Sequence, residues 1–138
     1  LRAKFFPTAK QSHSLNYAVV HEGKVIRRHT LLESTEDRPG VTGSAGRFQT
    51  TPDHRLFVVC YASGTETDGR SISENRIIEI LPDGAPGKPL RLLLAKPFTS
   101  YFTTTVRGGS PPSQTLEMLG SRAGSGNTIS YARVRLFP

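Results

Sequence analysis

Apolar and β-branched residues occur in short bursts separated by clusters of Gly, Pro, Ser, Thr and Asp. Leu15-Asn16-Tyr17-Ala18-Val19-Val20 ends at His21-Glu22-Gly23-Lys24, a hairpin turn signal, and an apolar run returns from Lys24 to Leu32. The polar stretch 33–46, with Pro39 and three glycines, reads as a long connection. Strands are expected at 47–51 and 55–61 around the turn Pro52-Asp53-His54, followed by a second long loop over 62–73. A strand at 75–81 leads into Pro82-Asp83-Gly84-Ala85-Pro86-Gly87, where each residue type favours turn dihedrals. Further strands are expected at 90–94, 99–106, 114–119 and 128–137, broken by Pro97, by Gly108-Gly109-Ser110-Pro111-Pro112 and by a loop over 120–126. No segment spaces its apolar residues as a helix does, so the pattern predicts an all-β protein of antiparallel strands.

The pattern also repeats. Arg47-Phe48-Gln49-Thr50-Thr51 is answered 54 positions later by Tyr101-Phe102-Thr103-Thr104-Thr105. Ile77-Ile78-Glu79-Ile80-Leu81 is answered at the same offset by Tyr131-Ala132-Arg133-Val134-Arg135. A strand-rich period of this length suggests β-propeller blades. The units are a half-blade over about 12–33, a full blade over about 46–95 and an incomplete blade over about 98–138. Two to two-and-a-half blades do not close a ring, which takes about four or more. The expectation is part of a larger propeller or a unit completed by partners, poorly stable or self-associating by itself through exposed sheet edges.

Composition narrows the classes. No apolar run approaches the roughly 20 residues of a membrane-spanning helix. The chain begins at Leu1 with no signal-peptide pattern, so a fragment or processed form is expected. Cys60 is the sole cysteine, which excludes an internal disulfide and a paired-cysteine metal site, and its apolar setting predicts a buried, inert thiol. The net charge of +7 comes mostly from 13 arginines, but they are scattered and only Arg27-Arg28 are adjacent. That dispersal argues against a nucleic-acid interface, where basic residues cluster. Arginine also grips carboxylates through two parallel hydrogen bonds, which suits an acidic sugar.

Gly46-Arg47-Phe48-Gln49-Thr50-Thr51-Pro52-Asp53-His54-Arg55-Leu56-Phe57-Val58, the stretch 102–119 with its Gly-Gly-Ser-Pro-Pro-Ser turn, and Thr128-Ile129-Ser130-Tyr131-Ala132-Arg133-Val134-Arg135-Leu136 resemble the sialidase-like, BNR-repeat family of β-propellers, in their C-terminal portion. The resemblance implies two to two-and-a-half blades of an incomplete propeller of the six-bladed type. It further implies a secreted or periplasmic carbohydrate-active protein, with glycoside hydrolysis of acidic glycans as the activity and no cofactor or metal. A non-catalytic glycan- or protein-binding module is an alternative, as is a polysaccharide lyase on the same scaffold. The chain departs from the family in two places. Its Asp-box counterpart, Leu81-Pro82-Asp83-Gly84-Ala85, keeps the aspartate but has its glycine one place early and no tryptophan, and the Arg-Ile-Pro motif is absent.

Propeller geometry sorts the candidate residues. Residues 44–47, 61–74, 97–101 and 120–127 would share one end of the channel, with Asp53-His54, Asp83-Gly84 and 107–113 at the other. Arg47 and Tyr101 share a repeat position and are expected at the channel mouth, as anion binder and as wall or polar contact. The plain alternative has Arg47 paired with an acidic neighbour and Tyr101 packed between blades. Tyr61, Glu66, Asp68, Arg70 and Glu74 lie in the 61–74 segment, where carboxylates beside a guanidinium could supply a general acid and its tuning partner. With no tryptophan present, Tyr61 and Tyr101 are the candidates for stacking on a sugar. The four histidines lack metal-ligand spacing, and no nucleophile elbow, P-loop or dinucleotide fingerprint occurs.

Overall fold

The computed structural model describes residues 11–104 and 111–136, and these form strands and turns with no helix among them. The strands are β1 (Ser12–His21), β2 (Lys24–Thr35), β3 (Val41–Thr50), β4 (Leu56–Thr65), β5 (Ser71–Ile80), β6 (Leu90–Arg91), β7 (Phe98–Thr103), β8 (Thr115–Arg122) and β9 (Ser130–Arg135). They make three antiparallel meanders in chain order: the hairpin β1-β2, a middle sheet β3-β4-β5-β6 and a third sheet β7-β8-β9.

Local chemistry sets the tight turns. Between β1 and β2, Glu22 and Gly23 both take positive φ, 47° and 75°, which matches the twist of a two-residue hairpin. After β5, Gly84 at φ 83° donates its N–H to Leu81 O, and Asp83 Oδ1 accepts the N–H of Ala85.

Both expected long connections are mostly strand. β2 runs to Thr35 and β3 starts at Val41, so only 36–40 remains between them. Residues 41–46 carry few strand formers, yet 41–44 pair with 61–64, and Gly43 supplies room that no side chain would leave. A Cβ there would stand 2.9 Å from Leu15 Cδ2 and from Leu32 Cδ1, so the hairpin rests on bare backbone. The second connection shrinks likewise, because β4 and β5 pair from Leu56↔Ile80 to Thr65↔Ser71 and leave 66–70 as the turn. The strand expected at 90–94 is only Leu90–Arg91. Parts of the expected strand 99–106, the turn 107–113 and the tail of 128–137 lie outside the described residues.

The middle sheet is packed on both faces. Towards the hairpin, Val58 and Ile80, flanked by Leu56, meet Tyr17, Val19 and Leu31. The Tyr17 hydroxyl donates to Gly84 O, tying the hairpin to the far turn. On the other face Phe57, Val59, Ile77 and Leu92 meet Phe98, Tyr101, Leu116 and Met118 of the third sheet, all at most 7% exposed. Apolar burial of this kind contributes about 1.5–3 kcal/mol per large side chain. Among the described residues no sheet closes on itself.

Candidate functional site

Arg47 follows a bulge in β3, where Ala45 takes φ 52° and the register shifts between Ser44 and Arg47. Its Nη1 donates to Gly46 O at 2.8 Å, and its Cζ sits 5.7 Å from the ring centre of Phe102. Within the described residues it forms no ion pair, whereas Arg55, Arg70, Arg76 and Arg91 each meet a carboxylate. Arg47 is therefore a half-buried guanidinium held by a carbonyl and an aromatic face.

Tyr101 lies near Arg47 but is 1% exposed, in the core between the middle and third sheets. Its ring meets Phe98 edge-on at 6.3 Å and 74°. Burial pushes its phenol pKa well up, the nearby Cys60 adds to the rise, and Arg47 offsets part of it. Its hydroxyl is buried with no hydrogen-bond partner among the described residues. This placement matches the alternative in which Tyr101 packs between sheets.

The register adds a correction to the repeat. Arg47 pairs with Val59 and through it with Ile77, on the face turned to the third sheet. Tyr131 keeps the 54-residue offset from Ile77, and it pairs with Leu119 and through it with Phe102. Measured by face, Arg47 therefore corresponds to Phe102, one place beyond the Tyr101 that sequence similarity selects. A shift of one residue reverses the face of a strand, so Arg47 and Tyr101 point in opposite senses relative to their own sheets.

The remaining candidates split in two. Tyr61 pairs with Asn75 on the face towards the third sheet, and its hydroxyl hydrogen-bonds Ser73 Oγ at 3.1 Å. Asn75, 1% exposed, donates Nδ2–H to Phe98 O at 2.9 Å and accepts the Phe98 N–H at 2.7 Å, a two-point bridge between sheets. On the opposite face Arg76 lies between two carboxylates. Its Nη2 donates to Glu66 Oε1 and its Nε to Glu74 Oε1, both at 2.7 Å. Arg70 Nη2 donates to Glu66 Oε2 at 2.7 Å, Arg91 approaches Glu74 at 3.4 Å, and Asp68 Oδ1 accepts the Arg70 N–H.

The network is electrically closed. Hydrogen bonds from Arg70, then Arg76, hold the Glu66 carboxyl below its usual range. Burial alone would lower the Arg76 pKa, but the bonds to Glu74 and Glu66 outweigh it and the guanidinium stays firmly charged. A general acid needs the reverse, a carboxyl raised towards neutrality. Arg76, Arg91 and Asn75 escaped the sequence reading, although the alternation Glu74, Arg76 beside Asn75, Ile77 marks one charged and one core-facing edge of β5.

Two other features lie apart. At the far turns a cavity of about 390 Å³ is walled by Phe57, Ile77, Leu81 and Leu90, with the Arg55–Glu79 pair bidentate at 2.8 Å. His29 stacks on Tyr17 at 5.2 Å, well down β2 from His21 at the hairpin tip, so these two histidines do not meet.

Fold and site together define an all-β protein of stacked antiparallel sheets, with an arginine and aromatic residues gathered at β3 and β7, the first strands of the middle and third sheets. Comparison with family models, with curated proteins and with solved structures found no match.

Proposed function

We propose that the three sheets are consecutive blades of a sialidase-like β-propeller, and that this chain binds acidic glycans through Arg47. The reading places the protein outside the cytoplasm, secreted or periplasmic. Its main support is the state of Arg47: Arg55, Arg70, Arg76 and Arg91 are paired with carboxylates, while this half-buried guanidinium meets a carbonyl and the Phe102 ring. A sugar carboxylate is the partner a guanidinium in that setting accepts best, through charge-assisted hydrogen bonds.

Binding is the better assignment than hydrolysis for these residues. Glu66 and Glu74 are committed to Arg70, Arg76 and Arg91, and Tyr101 is buried with its phenol pKa raised. Hydrolysis or lyase chemistry by the assembled propeller would draw its acid, base or nucleophile from other blades.

Calorimetric titration with a sialoside, a uronic-acid oligomer and a neutral oligosaccharide tests this. Acidic sugars are expected to bind and the neutral one to bind weakly or not at all. Arg47→Ala should weaken binding about tenfold to a hundredfold, the range of a charge-assisted hydrogen bond. Equal affinity for acidic and neutral sugars, or an unaffected Arg47→Ala, would refute the proposal.

A further inference from the structure

The cavity of about 390 Å³ at the far turns lies apart from Arg47 and from the charged tip. Its walls grade from core to surface. Phe57 and Ile77 are 2% and 5% exposed, whereas Leu81 and Leu90 are 38% and 51% exposed. A concave, mostly apolar space with a few polar groups in its wall is the usual form of a small-molecule site, and this one is at the small end of the range.

Three charged side chains line the cavity, and they do not cancel. Arg55 and Glu79 close on each other through two hydrogen bonds at 2.8 Å, so that pair is neutral. Arg55 and Phe57 serve only as wall, with the guanidinium 5.0 Å from the ring centre. Lys88 is exposed and forms no ion pair within the described residues. The wall therefore keeps one unbalanced positive charge, on its wet side.

The rim is built in advance. Gly87 donates its N–H to Glu79 O at 2.7 Å, Leu81 donates to Ala85 O at 2.9 Å, and Ile80 bridges Pro86. A Cβ on Gly87 would come 3.3 Å from Glu79 O and 3.9 Å from Leu81 Cδ2. Its bareness lets the segment close against β5 and sets Lys88 beside the cavity. A rim fixed before a ligand arrives spares part of the ordering cost of binding.

We infer that this cavity binds a small amphipathic carboxylate, with its hydrocarbon body against Ile77, Leu81 and Leu90 and its head group at Lys88. Burial of the body supplies the attraction, and the ammonium supplies the preference for an anion. A cationic head group finds no open carboxylate in the wall, because Arg55 occupies both oxygens of Glu79. The inference stands apart from the glycan reading, since it uses neither Arg47 nor a sugar.

The probes are octanoate, octanol, octylammonium and acetate, titrated into the 138-residue chain while amide chemical shifts are followed by NMR. Octanoate is expected to give saturable shifts at Gly87 and Leu90. It should bind roughly fivefold more tightly than octanol, the scale of one exposed charge contact. Octylammonium should bind more weakly than octanol, and acetate not at all. Lys88→Gln should erase the advantage of octanoate and leave octanol binding unchanged, while Leu90→Asn should weaken both. Both side chains are exposed, and an otherwise unchanged amide spectrum confirms folding. Absence of saturable octanoate binding overturns the inference. So does a preference for octanoate that Lys88→Gln leaves untouched, or a set of shifts centred away from Gly87 and Leu90.

Discussion

Replacing Asn75 by alanine should loosen the whole join between the middle and third sheets. The amide spans that join with two hydrogen bonds, 2.9 Å to Phe98 O and 2.7 Å from Phe98 N, and both partners are buried. Alanine would leave a backbone carbonyl and a backbone N–H in the core with no partner. Each such orphan costs about 1–3 kcal/mol, so the pair predicts a loss of about 2–5 kcal/mol after modest relaxation. Against a typical total of about 5–15 kcal/mol, that is a large fraction. For a domain of this size about 1 kcal/mol moves the melting temperature by roughly 3 °C, so a fall of about 6–15 °C is expected. Thermal melting by circular dichroism measures it, and hydrogen exchange at the Phe98 amide gives a local readout. A melting point within roughly 3 °C of the unmodified chain, with the Phe98 amide still protected, would refute the reasoning.

Two further outcomes follow from burial and charge. Cys60 is fully buried and desolvation pushes its thiol pKa up to about 11, so a thiol reagent at pH 8 should react only after denaturant unfolds the chain; prompt labelling of the native protein would contradict this. Glu66 and Glu79 are held below the ordinary carboxylate range by hydrogen bonds from Arg70 and Arg76 and from Arg55 respectively. The unfolded chain therefore binds more protons at these sites, and their stabilisation is present above the ordinary carboxylate pKa and lost as pH falls towards the folded values. Melting temperature should drop below about pH 4.5, with a shallower slope in a Glu66→Gln, Glu79→Gln double variant; identical slopes would remove these pairs from the account.

Turns were the most legible part of the chain, because their chemistry is local. Glu22-Gly23 and Asp83-Gly84 carry their own dihedral preferences and fold as read. Residues 41–46 were misread because their pairing comes from outside the segment. A stretch of Val-Thr-Gly-Ser-Ala-Gly has weak strand preference, and it becomes a strand because β4 supplies the ladder and Leu15 and Leu32 need the space over Gly43. The charged tip was misread for a related reason. Glu66 and Glu74 looked like members of one open loop, but Ala62↔Glu74 pairing fixes Glu74 in a strand, where Arg76 two places on neutralises both carboxylates. Pairing across strands is long-range, and composition does not encode it.

The repeat shows how a correct period can mislead about chemistry. Phe102 lies 55 residues after Arg47 by face, Leu119 lies 60 after Val59, and Tyr131 lies 54 after Ile77. Only the last strand keeps the offset visible in the sequence. Since strand side chains alternate with period two, an error of one in the first strand exchanges a core residue for a surface one, and Tyr101 and Phe102 are those two residues. The corrected pairing gives Arg47 a physical meaning that the sequence match did not. Arg47 stacks on Phe102, its own counterpart in the next sheet, so this pair of equivalent positions touches from one layer to the next. An anion held by Arg47 would therefore lie against the aromatic face of the following repeat.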